Sequence, residues 1–331
     1  MTEVLQILKT ENIEYTTNIN LSDITYLKTG GIAKLIIYPN TTDQVVSLIQ
    51  GLKINGVGYK VIGATSNLMF LDDTSYSCLI STSKLTRMEL NLEKKEIEGG
   101  SGVMMSDLSR FALINSIKGF EGLEGIPGTI GGAVFMNAGA YGYEIKDVLN
   151  SIEMVDTDGV LQIIKAKDLG LHYRNSYLRE GKINGIVTKC FFNVDLGNQY
   201  DIERKMELFH SKRHKYQDFS YPNLGSMYSG SVYREIGKRD KVFKLISMLY
   251  FLFNYEFKIF RRESPINRKW INDIIVKRFN LKYDKQPFSN KSINCLVNRG
   301  QGTDEMLRYM DDIKRLTYNK IPIENEVIEE F

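Results

Sequence analysis

Short apolar strands and one amphipathic helix alternate over the first 85 residues. Residues 33–38 (AKLIIY) and 59–62 (YKVI) have the length and side chains of strands. Between them, Val45, Ile49 and Leu52 fall on one face of a helix over 43–52. Over 86–200 the strand pattern continues, at 152–156, 160–164 and 186–194, while glycine becomes denser. Thr157, Asp158 and Gly159 sit where a hairpin turn is needed. From 201 onward helical spacing dominates, and Met306, Met310 and Ile313 put an apolar stripe on a helix near the end. The pattern predicts three units, at 1–85, 86–200 and 201–331, of which the first two mix α and β.

One segment breaks the pattern. Residues 231–270 hold ten lysines and arginines against four acidic residues, although the whole chain carries a net charge of only +3. Within it, residues 245–253 (LISMLYFLF) are an unbroken apolar or near-apolar run. A membrane-spanning helix needs about twenty such residues, so this run does not span. Two readings stay open: a helix or helix pair packed on the third unit, or a basic, aromatic helix lying on a membrane surface or a partner.

A chain of 331 residues exceeds what one core usually serves. With 43% hydrophobic and 25% charged residues it is an ordinary globular composition. The small net charge argues against nucleic acid as a partner. Cys78, Cys190 and Cys295 are odd in number and widely spaced, which fits neither a disulfide framework nor a metal site. His210 and His214 stand four apart without an HExxH motif, so no metal is expected. The first residues (MTEVLQILKTENIEY) lack the basic and apolar regions of a signal peptide, and a cytoplasmic setting is expected.

The chemistry concentrates in glycine-rich segments. Residues 119–145 (GFEGLEGIPGTIGGAVFMNAGAYGYEI) contain eight glycines. Such residues let backbone approach a bound group closely, and successive N–H groups can form a concavity suited to a pyrophosphate. Residues 62–68 (IGATSNL) follow a strand and add the side chains of Ser66 and Asn67. Neither a Walker A motif nor a GxGxxG fingerprint occurs.

Taken together, these segments resemble the UDP-N-acetylenolpyruvoylglucosamine reductases of peptidoglycan synthesis. IGATSNL is similar to that family's GxGSN flavin loop, and GIPGTIGGAVFMNAGAYG to its longest signature. Thr29-Gly30-Gly31 resembles the N-terminal motif, Tyr173-Arg174-Asn175-Ser176 the YRxS motif, and Pro222 to Ser226 the PSAGS motif. Residues 323–327 (IENEV) resemble the terminal LEPEV, and 291–298 (KSINCLVN) the KHANFIVN run. Order and spacing agree from about residue 20 to 327, apart from an insertion of about forty residues after Ser226.

The resemblance implies an α+β protein with a vanillyl-alcohol-oxidase (PCMH-type) FAD-binding fold. Two α+β subdomains would hold FAD, and a C-terminal α+β domain would close over a nucleotide-sugar. No His or Cys adjoins 62–68, so the FAD would be non-covalent, with NADPH as co-substrate. Flavin contacts would come from Gly63, Ala64, Thr65, Ser66, Asn67, Leu68, Gly128, Thr129, Gly131, Gly132 and Ala138. Arg174 would stabilise the enolate-like intermediate, Ser226 would deliver the proton, and Glu326 would order the hydrogen bonds around it. Tyr141, Tyr173 and Ser292 would face the substrate of a monomeric enzyme. The chain departs from the family at Thr65 (for glycine), at Ser229-Gly230 (for Lys-Asn) and at Ser292 (for histidine). Those departures leave two alternatives open: a divergent paralogue reducing another enolpyruvyl or nucleotide-linked sugar for a surface glycan, and a flavin-binding protein without catalysis.

Overall fold

The computed structural model describes residues 2–256 and 266–330. In the first unit, strand Glu14–Asn20 runs antiparallel to Ile32–Tyr38, which is parallel to Leu79–Ser81, itself parallel to Lys60–Ile62. The apolar run at 35–38 has a simple cause: the central strand is covered on both faces. Helices Thr2–Thr10 and Thr42–Ile54 bring Val4, Leu8, Val45, Leu48 and Ile49 against Leu35 and Ile37. Leu21, Ile62, Phe70 and Tyr76 close the other face over Ala33 and Ile36. Thr41 caps the second helix by accepting from the Gln44 amide at 3.1 Å, which sets its start.

The second unit is a five-stranded antiparallel sheet in the order Leu161–Lys165, Leu149–Asp156, Gly185–Asn193, Glu96–Gly100, Met88–Asn91. Ile186, Thr188, Cys190 and Phe192 alternate inward along the central strand, as a sheet with one packed face requires. The predicted hairpin forms: the Asp156 carboxylate accepts from the amides of Asp158 and Val160, both at 2.9 Å, and Gly159 takes φ 79°. Helices Met105–Ile114 and Ile130–Met136 cover the packed face. The second of these lies inside the glycine-rich stretch, which is therefore more than loop. Thr129 caps it through the Gly132 amide at 3.4 Å.

Helix Gln199–Tyr216 leads into the third unit. A three-stranded sheet, ordered Asn223–Ser226, Ser292–Val297, Phe288–Ser289, packs with helices Val232–Arg239, Lys241–Phe251, Lys269–Arg278 and Thr303–Leu316. Met306, Tyr309, Met310 and Ile313 of the last helix are buried in its core. The chain then returns to the first unit. Strand Glu326–Ile328 pairs in parallel with Leu68–Phe70, setting Glu326 opposite Leu68. No helix among the described residues is long and apolar enough to cross a membrane. Part of the basic segment, residues 257–265, falls outside the described residues.

Candidate active site

A cleft of about 650 Å3 opens where the three units meet. One wall is backbone. The loop 63–68 leaves strand Lys60–Ile62, and the amides of Ala64, Thr65, Ser66 and Asn67 find no acceptor among the described residues. Ser66 Oγ donates to the Pro127 carbonyl at 2.9 Å, tying this loop to the second glycine-rich segment. The two segments touch so closely that side chains would collide. A Cβ on Gly63 would lie 2.5 Å from Thr129 Oγ1, and one on Gly128, at φ 128°, would lie 2.9 Å from Ser66 Oγ. Unpartnered amides beside glycines held at contact distance suit the anionic pyrophosphate of FAD. Gly131, Gly132 and Ala138 extend the same wall.

Thr65 takes φ 55°, the left-handed region that glycine favours. Its hydroxyl accepts from the Tyr26 amide at 2.8 Å, which offsets the strain and binds the loop to the segment after helix Leu21–Ile24. Thr29, Gly30 and Gly31 do not line the cleft. They lie beneath it: the Gly30 amide donates to Asp72 at 2.9 Å, and a Cβ on Gly31 would lie 2.1 Å from the Thr74 carbonyl.

The opposite wall is built from side chains. Arg174, at φ 53°, donates through Nη2 to the Gly139 carbonyl at 2.7 Å and through Nε to Glu324 at 3.4 Å. The Tyr173 hydroxyl reaches the same carboxylate at 3.5 Å. Burial, helped by the Glu324 charge, raises the Tyr173 phenol above its ordinary range and keeps it protonated. Ser226 ends strand Asn223–Ser226, lines the cleft and makes no side-chain hydrogen bond among the described residues. Its hydroxyl is free for a ligand.

Glu326 reaches this wall from the end of the chain. Its amide donates to the Asn67 carbonyl at 3.0 Å, and Asn67 Nδ2 donates to the Glu324 carbonyl at 3.0 Å. Arg179, absent from the sequence-level site, organises the group. Its Nε pairs with the Glu326 carboxylate at 3.2 Å, while its Nη atoms donate to the carbonyls of Arg174 at 2.7 Å and Glu324 at 3.0 Å. Ser176 anchors that turn, donating to the Phe135 carbonyl at 2.7 Å and accepting from the Arg179 amide at 3.2 Å. The available signal was proximity: Arg179 stands five residues after Arg174 in one short run.

Arg213 was also missed. It comes from helix Gln199–Tyr216, lines the cleft, donates to the Glu124 carbonyl at 2.8 Å, and leaves Nε buried without an acceptor among the described residues. Burial pulls it below the ordinary guanidinium range, against the opposing pull of Tyr141 and Glu124. Tyr141 stands behind it, its ring 5.4 Å from the Arg213 guanidinium and stacked on Phe209 at 4.8 Å. Tyr141 is not among the lining residues, and neither is Ser292, whose hydroxyl accepts from the Asn294 amide at 3.2 Å. Gly230, at φ 91°, does line the cleft, and Ser229 is spent on the Pro322 carbonyl at 3.0 Å. Among the described residues no cluster of three metal-ligating side chains occurs.

A family model described as "FAD binding domain" matches residues 33–165. The chain is 35% identical over 219 residues to a UDP-N-acetylenolpyruvoylglucosamine reductase of Caldicellulosiruptor saccharolyticus, covering 66% of this chain and 69% of that one. The reductase of the same name from Lactobacillus gasseri is 34% identical, with 67% and 72% covered. A crystal structure of UDP-N-acetylenolpyruvylglucosamine reductase from Thermus caldophilus superposes with a TM-score of 0.69 at 24% identity, covering 95% of this chain and 98% of that one. That likeness fixes the fold along nearly the whole length.

Proposed function

The chain belongs to the UDP-N-acetylenolpyruvoylglucosamine reductase family, and from that premise we propose that it reduces the enolpyruvyl ether of UDP-N-acetylglucosamine to UDP-N-acetylmuramate for peptidoglycan synthesis. Its α+β fold is the FAD-binding one expected, with two mixed subdomains and a C-terminal domain. FAD is the cofactor and NADPH the electron donor. The observation that carries the reading is the meeting of Arg174, Ser226 and Glu326 at one cleft whose other wall is an amide cradle.

FAD, held by the amides of residues 64–67 and the glycines of 128–132, would supply to the vinyl carbon of the substrate the hydride that originates in NADPH. The chain supplies the rest. As hydride adds, negative charge develops on the carbon that bears the carboxylate, and the Arg174 guanidinium offers a fixed cation for it. Gly139 and Glu324 hold that guanidinium in place. The Ser226 hydroxyl, free of internal partners, gives its proton to the same carbon. Glu326, held by Arg179, orders the hydrogen bonds around the developing charge. Tyr173 remains a neutral donor toward the substrate.

Attachment of FAD without a covalent bond is supported by the placement of the groups that could form one. Among the described residues no cysteine or histidine lines the cleft, and Cys78, Cys190 and Cys295 are buried. Burial raises Cys78 to about 11 and, with the Asp218 charge, Cys295 to about 12, leaving few nucleophilic thiolates. Reduced thiols also suit a cytoplasmic setting.

Anaerobic stopped-flow absorbance at the flavin band tests the reaction. NADPH should bleach the flavin, and the enolpyruvyl substrate should restore it within the turnover time. Bleaching without recovery would sink the substrate assignment and turn attention to Ser229 and Gly230. Absence of a flavin band after FAD is added would overturn the cofactor as well.

A further inference from the structure

Helix Lys241–Phe251 is apolar on both faces, a pattern that normally marks a helix buried all round. Here only one face is covered. Phe243 and Ser247 are buried, with Tyr250 and Phe251 packed on the third unit's core. The other face carries Val242, Leu245, Met248 and Leu249 at 52%, 53%, 55% and 40% exposure. Their spacing makes one stripe along the helix. Lys241 and Lys244 are exposed beside it and make no ion pair among the described residues. The neighbouring cations are engaged: Lys238 on Glu235, Arg278 on Asp240, Lys269 on Asp273. None of the residues 231–256 lines the cleft, so the stripe has no share in the reaction site.

We propose that this face docks on an anionic lipid surface, making the protein a peripheral membrane protein. The charge pattern selects that occupant. Residues 241–251 (KVFKLISMLYF) contain two lysines and no acid. A second copy meeting the same face about a two-fold axis would gather four lysines into one interface with no carboxylate from this helix to neutralise them. An anionic leaflet instead neutralises both lysines while the apolar stripe enters the headgroup and acyl boundary. The helix needs no rearrangement to do this, because its apolar side chains already point outward.

Flotation of the full-length protein with vesicles of phosphatidylcholine, with and without phosphatidylglycerol, tests the proposal. The protein should float with the phosphatidylglycerol vesicles, less so with added salt, and stay behind with phosphatidylcholine alone. Lys241→Glu with Lys244→Glu should weaken binding by about thirtyfold or more, since each lysine near an anionic surface contributes appreciably. Leu245→Glu with Met248→Glu should abolish it. Both variants alter exposed positions, so their circular dichroism and flavin binding should match the wild type. A wild-type protein that ignores phosphatidylglycerol vesicles overturns the proposal, as do variants that bind as well as wild type. If vesicles fail and sedimentation shows a dimer that Leu245→Glu dissociates, the face belongs to a second copy. If vesicles fail and the protein is monomeric, the face belongs to another protein. These readouts do not depend on which substrate the cleft reduces.

Discussion

The two walls of the cleft are built from different materials. The wall proposed for flavin, from residues 63–68 and 127–132, is backbone: free amides, and glycines that let two segments touch. The wall proposed for substrate is side chains: Arg174, Arg213, Ser226, Glu324 and Glu326, with Arg179 outside the lining and paired to Glu326. A wall of backbone is indifferent to side-chain identity wherever the conformation survives. Thr65 illustrates this, keeping a glycine-like φ of 55° while its hydroxyl is satisfied by Tyr26. A wall of side chains loses a group with each replacement. Ser229 and Gly230, standing where the family has Lys-Asn, supply neither a cation nor an amide, and the chain turns there into the helix that Ser231 caps. Divergence is therefore cheap on one wall and chemical on the other.

Substitutions can break this contrast or sharpen it. The largest effect is expected from Ser226→Ala, which removes the proposed proton donor without disturbing an internal side-chain hydrogen bond. NADPH should still bleach the flavin at the wild-type rate, while reoxidation by substrate slows by about 10²–10⁴-fold. Equal rates in both half-reactions would remove Ser226 from the mechanism.

Next comes the backbone wall. Gly128→Val forces a branched side chain onto φ 128° and into Ser66 Oγ. A strain of about 1–3 kcal/mol converts to a loss of FAD affinity on the order of tenfold to hundredfold. Equilibrium dialysis of FAD reads it, and unchanged affinity would mean the two segments need not touch.

Arg179→Ala should act more moderately. It strips the Glu326 carboxylate and two carbonyls of one shared partner, at about 1–3 kcal/mol of stability. A lower Tm together with slower flavin reoxidation is the expected outcome, with Arg179→Lys restoring the charge but not the three-way geometry. A lower Tm with normal reoxidation would make Arg179 purely structural.

The smallest effect should come from Thr65→Gly. Relief of backbone strain and loss of the Tyr26 contact oppose each other, so stability should change by less than about 1 kcal/mol in thermal unfolding. FAD affinity should hardly move. A large loss would show that the threonine side chain, and not only its backbone, belongs to the flavin wall.

Much of the fold could be read locally. The strand at 33–38 appears as Ile32–Tyr38, and the helix at 43–52 as Thr42–Ile54, lengthened to its Thr41 cap. The hairpin around Thr157-Asp158-Gly159 forms because Asp156 can reach the amides just ahead of it. Glycines read as close-approach positions do lie at contact distance in the cradle. Strand Glu14–Asn20 carried no comparable signal: its residues (EYTTNIN) are mostly polar, as an edge strand with little burial allows. Tyr141 and Ser292 lie within segments that resemble family motifs, yet the first stacks behind Arg213 and the second starts a strand outside the cleft lining.

By itself, the sequence determined the strands and helices with a clear apolar period and where the backbone must pass without side chains. Those properties depend on near neighbours: periodicity, caps and φ preference. It also carried the motifs that identify the family. Only the tertiary structure decided which distant groups meet. Glu326 faces the cleft because its strand pairs in register with Leu68–Phe70, and Arg179 and Arg213 matter because they reach carbonyls and carboxylates from other segments. It also decided which side of the helix Lys241–Phe251 is covered, since a helix apolar on both faces has no local pattern to choose its buried side.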